Sequence, residues 1–148
     1  MKLKSAIMLL LISTMGYFGY GFVRTHTSGD VIAYKNFARA VMNNDQARAS
    51  RVALGNDVLK VFEEQKERMA RYRGHVKFTY HQILEQRFSE DGHSVYLRVR
   101  QVTRLDPFNT EKTLLGSRSI EEIHSVTMVQ KNLVWRVQRF DERYMGSS

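Results

Sequence analysis

The chain reads as an α+β protein. Apolar residues recur with helical spacing between residues 31 and 72, and from residue 76 to residue 140 they alternate with polar ones at a period of two. Helices first and a run of strands afterwards imply an antiparallel sheet with the helices covering one face. A third observation stands in front of both, an uncharged apolar opening. The chain divides accordingly into a transmembrane anchor or signal segment (1–24), a linker (25–29), one α+β unit (30–143) and a flexible tail (144–148).

The opening, MKLKSAIMLLLISTMGYFGYGFVRTH, holds 19 uncharged residues between Lys4 and Arg24. As a helix they would reach roughly 28 Å, close to the hydrocarbon thickness of a bilayer. Tyr17, Phe18 and Tyr20 suit the far interface, and Lys2 and Lys4 point to a cytoplasmic N-terminus. The competing reading is a cleaved signal peptide, with Gly19-Tyr20-Gly21 as a poor cleavage site. Both place the rest of the chain outside the cytoplasm. The expectation is a single-pass inner-membrane protein facing the periplasm or exterior; the alternative is a secreted or periplasmic soluble protein.

Three helices are expected next. Ser28 or Asp30 can cap a helix in which Tyr34, Phe37, Ala38 and Val41 fall on one face. It should stop at Asn43-Asn44. Asp45 can cap a shorter helix over 46–54, and a third runs from Asn56 or Asp57 to about Tyr72.

Four strands follow. In VKFTYHQILEQRF the even positions Val76, Phe78, Tyr80, Leu84 and Phe88 are apolar and are expected inward, bringing Gln82 and Gln86 with them. A hairpin turn at 89–92 leads into HSVYLRVRQVTRL, with Val95, Leu97, Val99 and Leu105 inward and Tyr96, Arg98, Arg100 and Arg104 outward. Residues 106–116 form a loop. SRSIEEIHSVTMVQ is a third strand, with a bulge expected near Glu121-Glu122 because Ile120 and Ile123 cannot share a face. A tight turn at Lys131-Asn132 opens a fourth strand, LVWRVQRF.

Composition narrows the chemistry. The chain has no cysteine, which removes disulfides, thiolate metal sites and a thiol nucleophile. Its net charge of +8 favours anionic partners, but no block of like charges forms a nucleic-acid-binding arm. The five histidines, His26, His75, His81, His93 and His124, include no i, i+4 helical pair, so neither a metal nor a cofactor is expected. GYFGYG lies inside the apolar opening and is no phosphate loop.

The order of elements, and HSVTMVQKNLVWRVQRF with its Trp135 as a closing hairpin, resemble the nuclear-transport-factor-two-like superfamily, also called SnoaL-like. The resemblance implies N-terminal helices packed into a strongly curved sheet to form a cone. It covers about residues 30–142. Its members include isomerases, dehydratases, ligand-binding proteins and non-catalytic assembly modules, so function is left open. The layout of one membrane helix before the fold is similar to bitopic periplasmic assembly factors.

Two function classes follow. The first is a membrane-tethered, non-enzymatic interaction module binding other envelope proteins or anionic partners, with a homo-oligomer left open. Its surface would be the outward stripe of Lys77, Arg87, Tyr96, Arg98, Arg100, Arg104 and Arg136, since neighbouring like charges on a sheet need a reason. The second is a processed soluble ligand-binding protein or small enzyme using a pocket lined by Tyr80, Gln82, Gln101, Glu122, His124 and Trp135. Glu122 and His124 share the parity of Ile120, Val126 and Met128 and would form a carboxylate–imidazole pair if that parity is inward.

Overall fold

The computed structural model describes residues 7–8, 10–17, 19–20, 28–72, 75–106 and 119–147. The described residues of the opening segment are helical with exposed side chains. No helix among the described residues is long and apolar enough to cross a membrane, so the expected span over 1–24 finds no support in them. Residues 1–6, 9, 18, 21–27, 73–74, 107–118 and 148 lie outside the described residues, and with them all but Asp106 of the loop expected over 106–116.

Helix α1 (Gly29–Met42) buries Val31, Tyr34, Phe37, Ala38 and Val41 along one face. Asp30 does not cap it. Its carboxylate is buried and accepts from Gln86 Nε2 at 2.7 Å. Asn44, at φ 54°, turns the chain, and Asp45 caps α2 (Gln46–Ser50) by accepting from the Arg48 amide at 2.9 Å. The helix expected over 46–54 ends early because the following residues pair with a strand. Val137 N donates to the Val52 carbonyl and Leu54 N donates to the Val137 carbonyl, a short parallel bridge at Ala53. A 3-10 turn (Asn56–Lys60) then runs into α3 (Val61–Tyr72).

The sheet is a meander, β1 (Val76–Phe88), β2 (Ser94–Leu105), β3 (Ser119–Lys131) and β4 (Val134–Ser147), paired in that order and antiparallel throughout. α1 crosses β3 and β4 and closes the concave side. Phe37, Leu97, Val99, Val126, Met128 and Val137 are fully buried between them, each burial worth about 1.5–3 kcal/mol.

The first half of β1 has the opposite parity to the one its apolar residues suggest. Phe78, Tyr80 and Leu84 are 50%, 44% and 45% exposed on the outer face, while Thr79, His81 and Ile83 point in. Alternation marks two faces without saying which is buried, and on this edge strand Thr79 and His81 find hydrogen-bond partners inside, in Thr103 and Gln101. A bulge at Leu84 then reverses the strand and turns Gln86 and Phe88 inward. β3 carries no bulge against β2: Ile120 faces in and Ile123 out. The irregularity expected near Glu121-Glu122 falls in the pairing with β4, where Met145 is the extra residue; a second slip opposite Thr127-Met128 makes Gln138 extra, and β4 stays paired as far as Ser147.

Candidate active site inside the cone

Four elements send polar side chains to one place, and three of them send ionisable ones. Helical spacing puts Asp30 and Tyr34 on the same face of α1, both buried. β3 contributes Glu122 and His124, β2 contributes Gln101, and β4, re-phased by its bulge at Gln138, contributes Phe140 and Glu142. His124 is the hub. Its Nδ1 shares a 2.7 Å hydrogen bond with the Tyr34 hydroxyl, and its ring lies 4.8 Å from that of Phe140. Burial, with the Glu122 carboxyl adding to it, pushes the Tyr34 phenol well above its ordinary value, so it keeps its proton.

The other ring nitrogen, His124 Nε2, is buried without a hydrogen-bond partner among the described residues, 3.8 Å from Glu122 Oε2 and 4.0 Å from Glu142 Oε2. One donor atom from each of the three side chains lies within 4.8 Å of the other two. The same Glu122 oxygen is fixed by Gln101: Gln101 Nε2 donates to Oε2 at 2.8 Å, and Gln101 Oε1 accepts from His81 Nε2 at 2.9 Å. Burial pushes the His81 imidazole down to about 4, against the opposing pull of its bond to Gln101, so it is neutral near neutrality. Beside this cluster, where the 3-10 turn and α3 meet β4, lies a cavity of about 300 Å³. Asp57, Lys60 and Glu64 stand on one side of it and Phe140 and Glu142 on the other. Glu142 therefore belongs to both the cavity wall and the buried cluster.

Of the six residues expected to line a pocket, Gln101, Glu122 and His124 are buried together. Trp135 is half-buried at the rim, edge-on to Phe88 at 6.2 Å and against Gly29. Tyr80 and Gln82 are corrected: they stand on the outer face, opposite Val102 and Arg100, because β1 enters the sheet in the other phase. The sequence does not signal Tyr34, which sits on an apolar helix face, His81, which lies on the polar side of the β1 alternation, Asp30, which stands at a helix start, or Glu142, which the bulge in β4 hides.

The outward stripe is mixed in sign. Arg100 makes two hydrogen bonds to Glu121, at 2.5 and 2.7 Å, and holds that carboxyl below its ordinary value. Arg87 pairs with Glu85 at 2.7 Å and lies over the Tyr96 ring, and Arg136 donates to the Arg51 carbonyl. Lys77 bulges out of β1, and Arg98 and Arg104 are exposed. The repulsion that would have called for an acidic partner is thus relieved within the sheet at Arg87 and Arg100.

No family model and no curated protein matches the chain by sequence. Solved structures do match. A candidate ketosteroid isomerase from Shewanella frigidimarina superposes with a TM-score of 0.51 at 11% identity, over 79% of this chain and 96% of its own. A candidate dehydratase of the NTF2-like family from Streptomyces avermitilis matches with a TM-score of 0.51 at 11% identity, over 83% and 99%. A hexachlorocyclohexane dehydrochlorinase matches with a TM-score of 0.50 at 11% identity, over 86% and 91%. These neighbours correct the expectation of a membrane-tethered, non-enzymatic interaction module, since proteins named as enzymes are built on this same frame. Three helices and a 3-10 turn packed into a curved four-stranded meander, matched over nearly the whole of those structures, give the chain the nuclear-transport-factor-two-like fold.

Proposed function

We propose that the chain is a small isomerase- or lyase-type enzyme whose reacting centre is the Glu122–His124–Glu142 cluster, reached through the cavity beside Glu142. The observation that carries this reading is the unpartnered Nε2 of His124. A buried polar atom held between two carboxylates is costly as mere structure, and Glu142, 4.0 Å from this one, also lines a space of about 300 Å³, at the lower limit of small-ligand sites. Isomerisation, dehydration and dehydrochlorination, the reactions in the names of the similar structures, have one common need. Charge must move within the ligand, and fixed groups in a water-poor site must stabilise it where it develops. Imidazole and carboxylates serve that need better here than in water, because the surrounding dielectric is low.

The ligand class is a small molecule with an acidic C–H beside a carbonyl or beside a leaving group. Incubating the protein in deuterium oxide with a set of small ketones, β-hydroxyketones and β-chloroketones tests this by mass spectrometry. Protein-dependent deuterium uptake or leaving-group loss is expected, falling at least about 100-fold in His124→Gln, as removal of a central reacting group does. Far-ultraviolet circular dichroism checks that the variant is folded. Wild-type protein without turnover across the set, or turnover indifferent to the substitution, would overturn the reading.

A further inference from the structure

The geometry points to a divalent transition-metal site, of which zinc is the natural occupant, formed by Glu122, His124 Nε2 and Glu142. The inference rests on the reading that the reacting centre lies at this cluster, and it names what the cluster holds.

The separations carry the argument. At 3.8 and 4.0 Å from Glu122 and Glu142, His124 Nε2 is too far from either carboxylate for a hydrogen bond. Three donors no more than 4.8 Å apart surround a common space, and side-chain rotations that bring them to about 3.4 Å apart would give tetrahedral zinc–nitrogen and zinc–carboxylate bond lengths of roughly 2.0–2.2 Å. An ion there would give His124 Nε2 the partner it lacks and offset the negative charge of the two carboxylates beside it.

The donor set selects the ion. Calcium and magnesium favour all-oxygen shells, whereas an imidazole with two carboxylates suits zinc and its first-row neighbours. Three protein ligands leave a fourth position open, the pattern of a catalytic rather than a structural site.

The supporting groups are also in place. A ligating imidazole keeps its other N–H in a hydrogen bond, and Tyr34 stands 2.7 Å from His124 Nδ1, where its oxygen can accept. Gln101 fixes the Glu122 oxygen, Oε2, that faces His124 Nε2. Glu142 also lines the cavity, so the cluster has one donor on its wall.

The full chain, stripped with a chelator and dialysed against micromolar zinc chloride, is assayed for metal by mass spectrometry. About one zinc per chain is expected, and visible absorption of the cobalt(II) form would report nitrogen and oxygen donors. His124→Gln and Glu142→Gln should each weaken zinc binding more than about 100-fold. Tyr34→Phe should weaken it by about 10-fold or more, the usual effect of losing an outer partner of a ligand. Glu90→Gln, on an exposed residue of the turn between β1 and β2, should leave it unchanged. If His124→Gln does not fold, Glu142→Gln and Tyr34→Phe decide the matter. Wild-type protein that retains no zinc, or variants that retain as much as wild type, would overturn the site. Metal content is read without substrate: turnover by a zinc-free protein sinks the metal alone, and zinc bound without turnover upholds the site while sinking the enzyme reading.

Discussion

Gln101 joins His81 to Glu122, accepting from the imidazole Nε2 at 2.9 Å and donating to the carboxylate Oε2 at 2.8 Å. An amide can serve both only in one orientation, so the pair sets the side on which Glu122 is held. Gln101→Leu keeps the volume and removes both bonds. A hydrogen bond to a charged group and one to a neutral group together predict a loss of about 3 kcal/mol in chemical denaturation. A loss below about 1 kcal/mol would mean that the chain of bonds carries no stability.

His81 should make stability depend on pH. Its folded form protonates only near 4, chiefly because of burial, whereas the unfolded chain binds that proton near 6.5. Between those values the unfolded state holds more protons, so stability falls as pH drops from about 6.5 towards 4, by at most about 3 kcal/mol. His81→Gln should flatten that part of the profile. An unaltered slope would assign the acid sensitivity to other groups.

Trp135 is the only tryptophan, so intrinsic fluorescence reads one spot on the cone's rim. A Cβ on Gly29 would lie 3.1 Å from Trp135 Cδ1, closer than ordinary packing allows. Gly29→Ala should push the indole outward and shift its emission to the red, with some loss of thermal stability. An unshifted spectrum would show that the helix start gives way in its place.

Leu133 sits at φ 65° beside Asn132 at φ 51°, the two residues of the turn between β3 and β4. Both positions of this turn type need left-handed backbone, which costs a leucine roughly 1–2 kcal/mol. The leucine is 89% exposed and gains little by packing. Leu133→Gly should therefore stabilise the protein by about 0.5–1 kcal/mol, part of the relief being offset by glycine's greater freedom when unfolded. Destabilisation would mean that the side chain makes contacts of its own.

Element types and their order were legible because each rests on local periodicity. Tyr34, Phe37, Ala38 and Val41 could only share a helix face, and Glu122 and His124 could only share a face of β3 with Val126 and Met128. The phase of a strand is a different matter, because it is settled by what lies across the sheet. Thr79 and His81 point inward since Thr103 and Gln101 wait there, although Phe78 and Tyr80 are the more apolar. Bulges hide most. Gln138 re-phases β4, and without that slip Glu142 would count as an outward residue. Asp30 shows the same limit at a helix start, where its carboxylate chose Gln86, 56 residues away, over a cap.

The meander order has a consequence for how the chain is made. Each strand pairs with the one just synthesised, so three ladders can zip up as they leave the ribosome. The helices, made first, cannot be covered so soon: Tyr34 meets His124 across 90 residues, and Ala53 waits for Val137. Until the last strand emerges, the apolar side of α1 faces solvent or a chaperone. Truncation within β4 should therefore yield an aggregation-prone nascent chain instead of a smaller working cone.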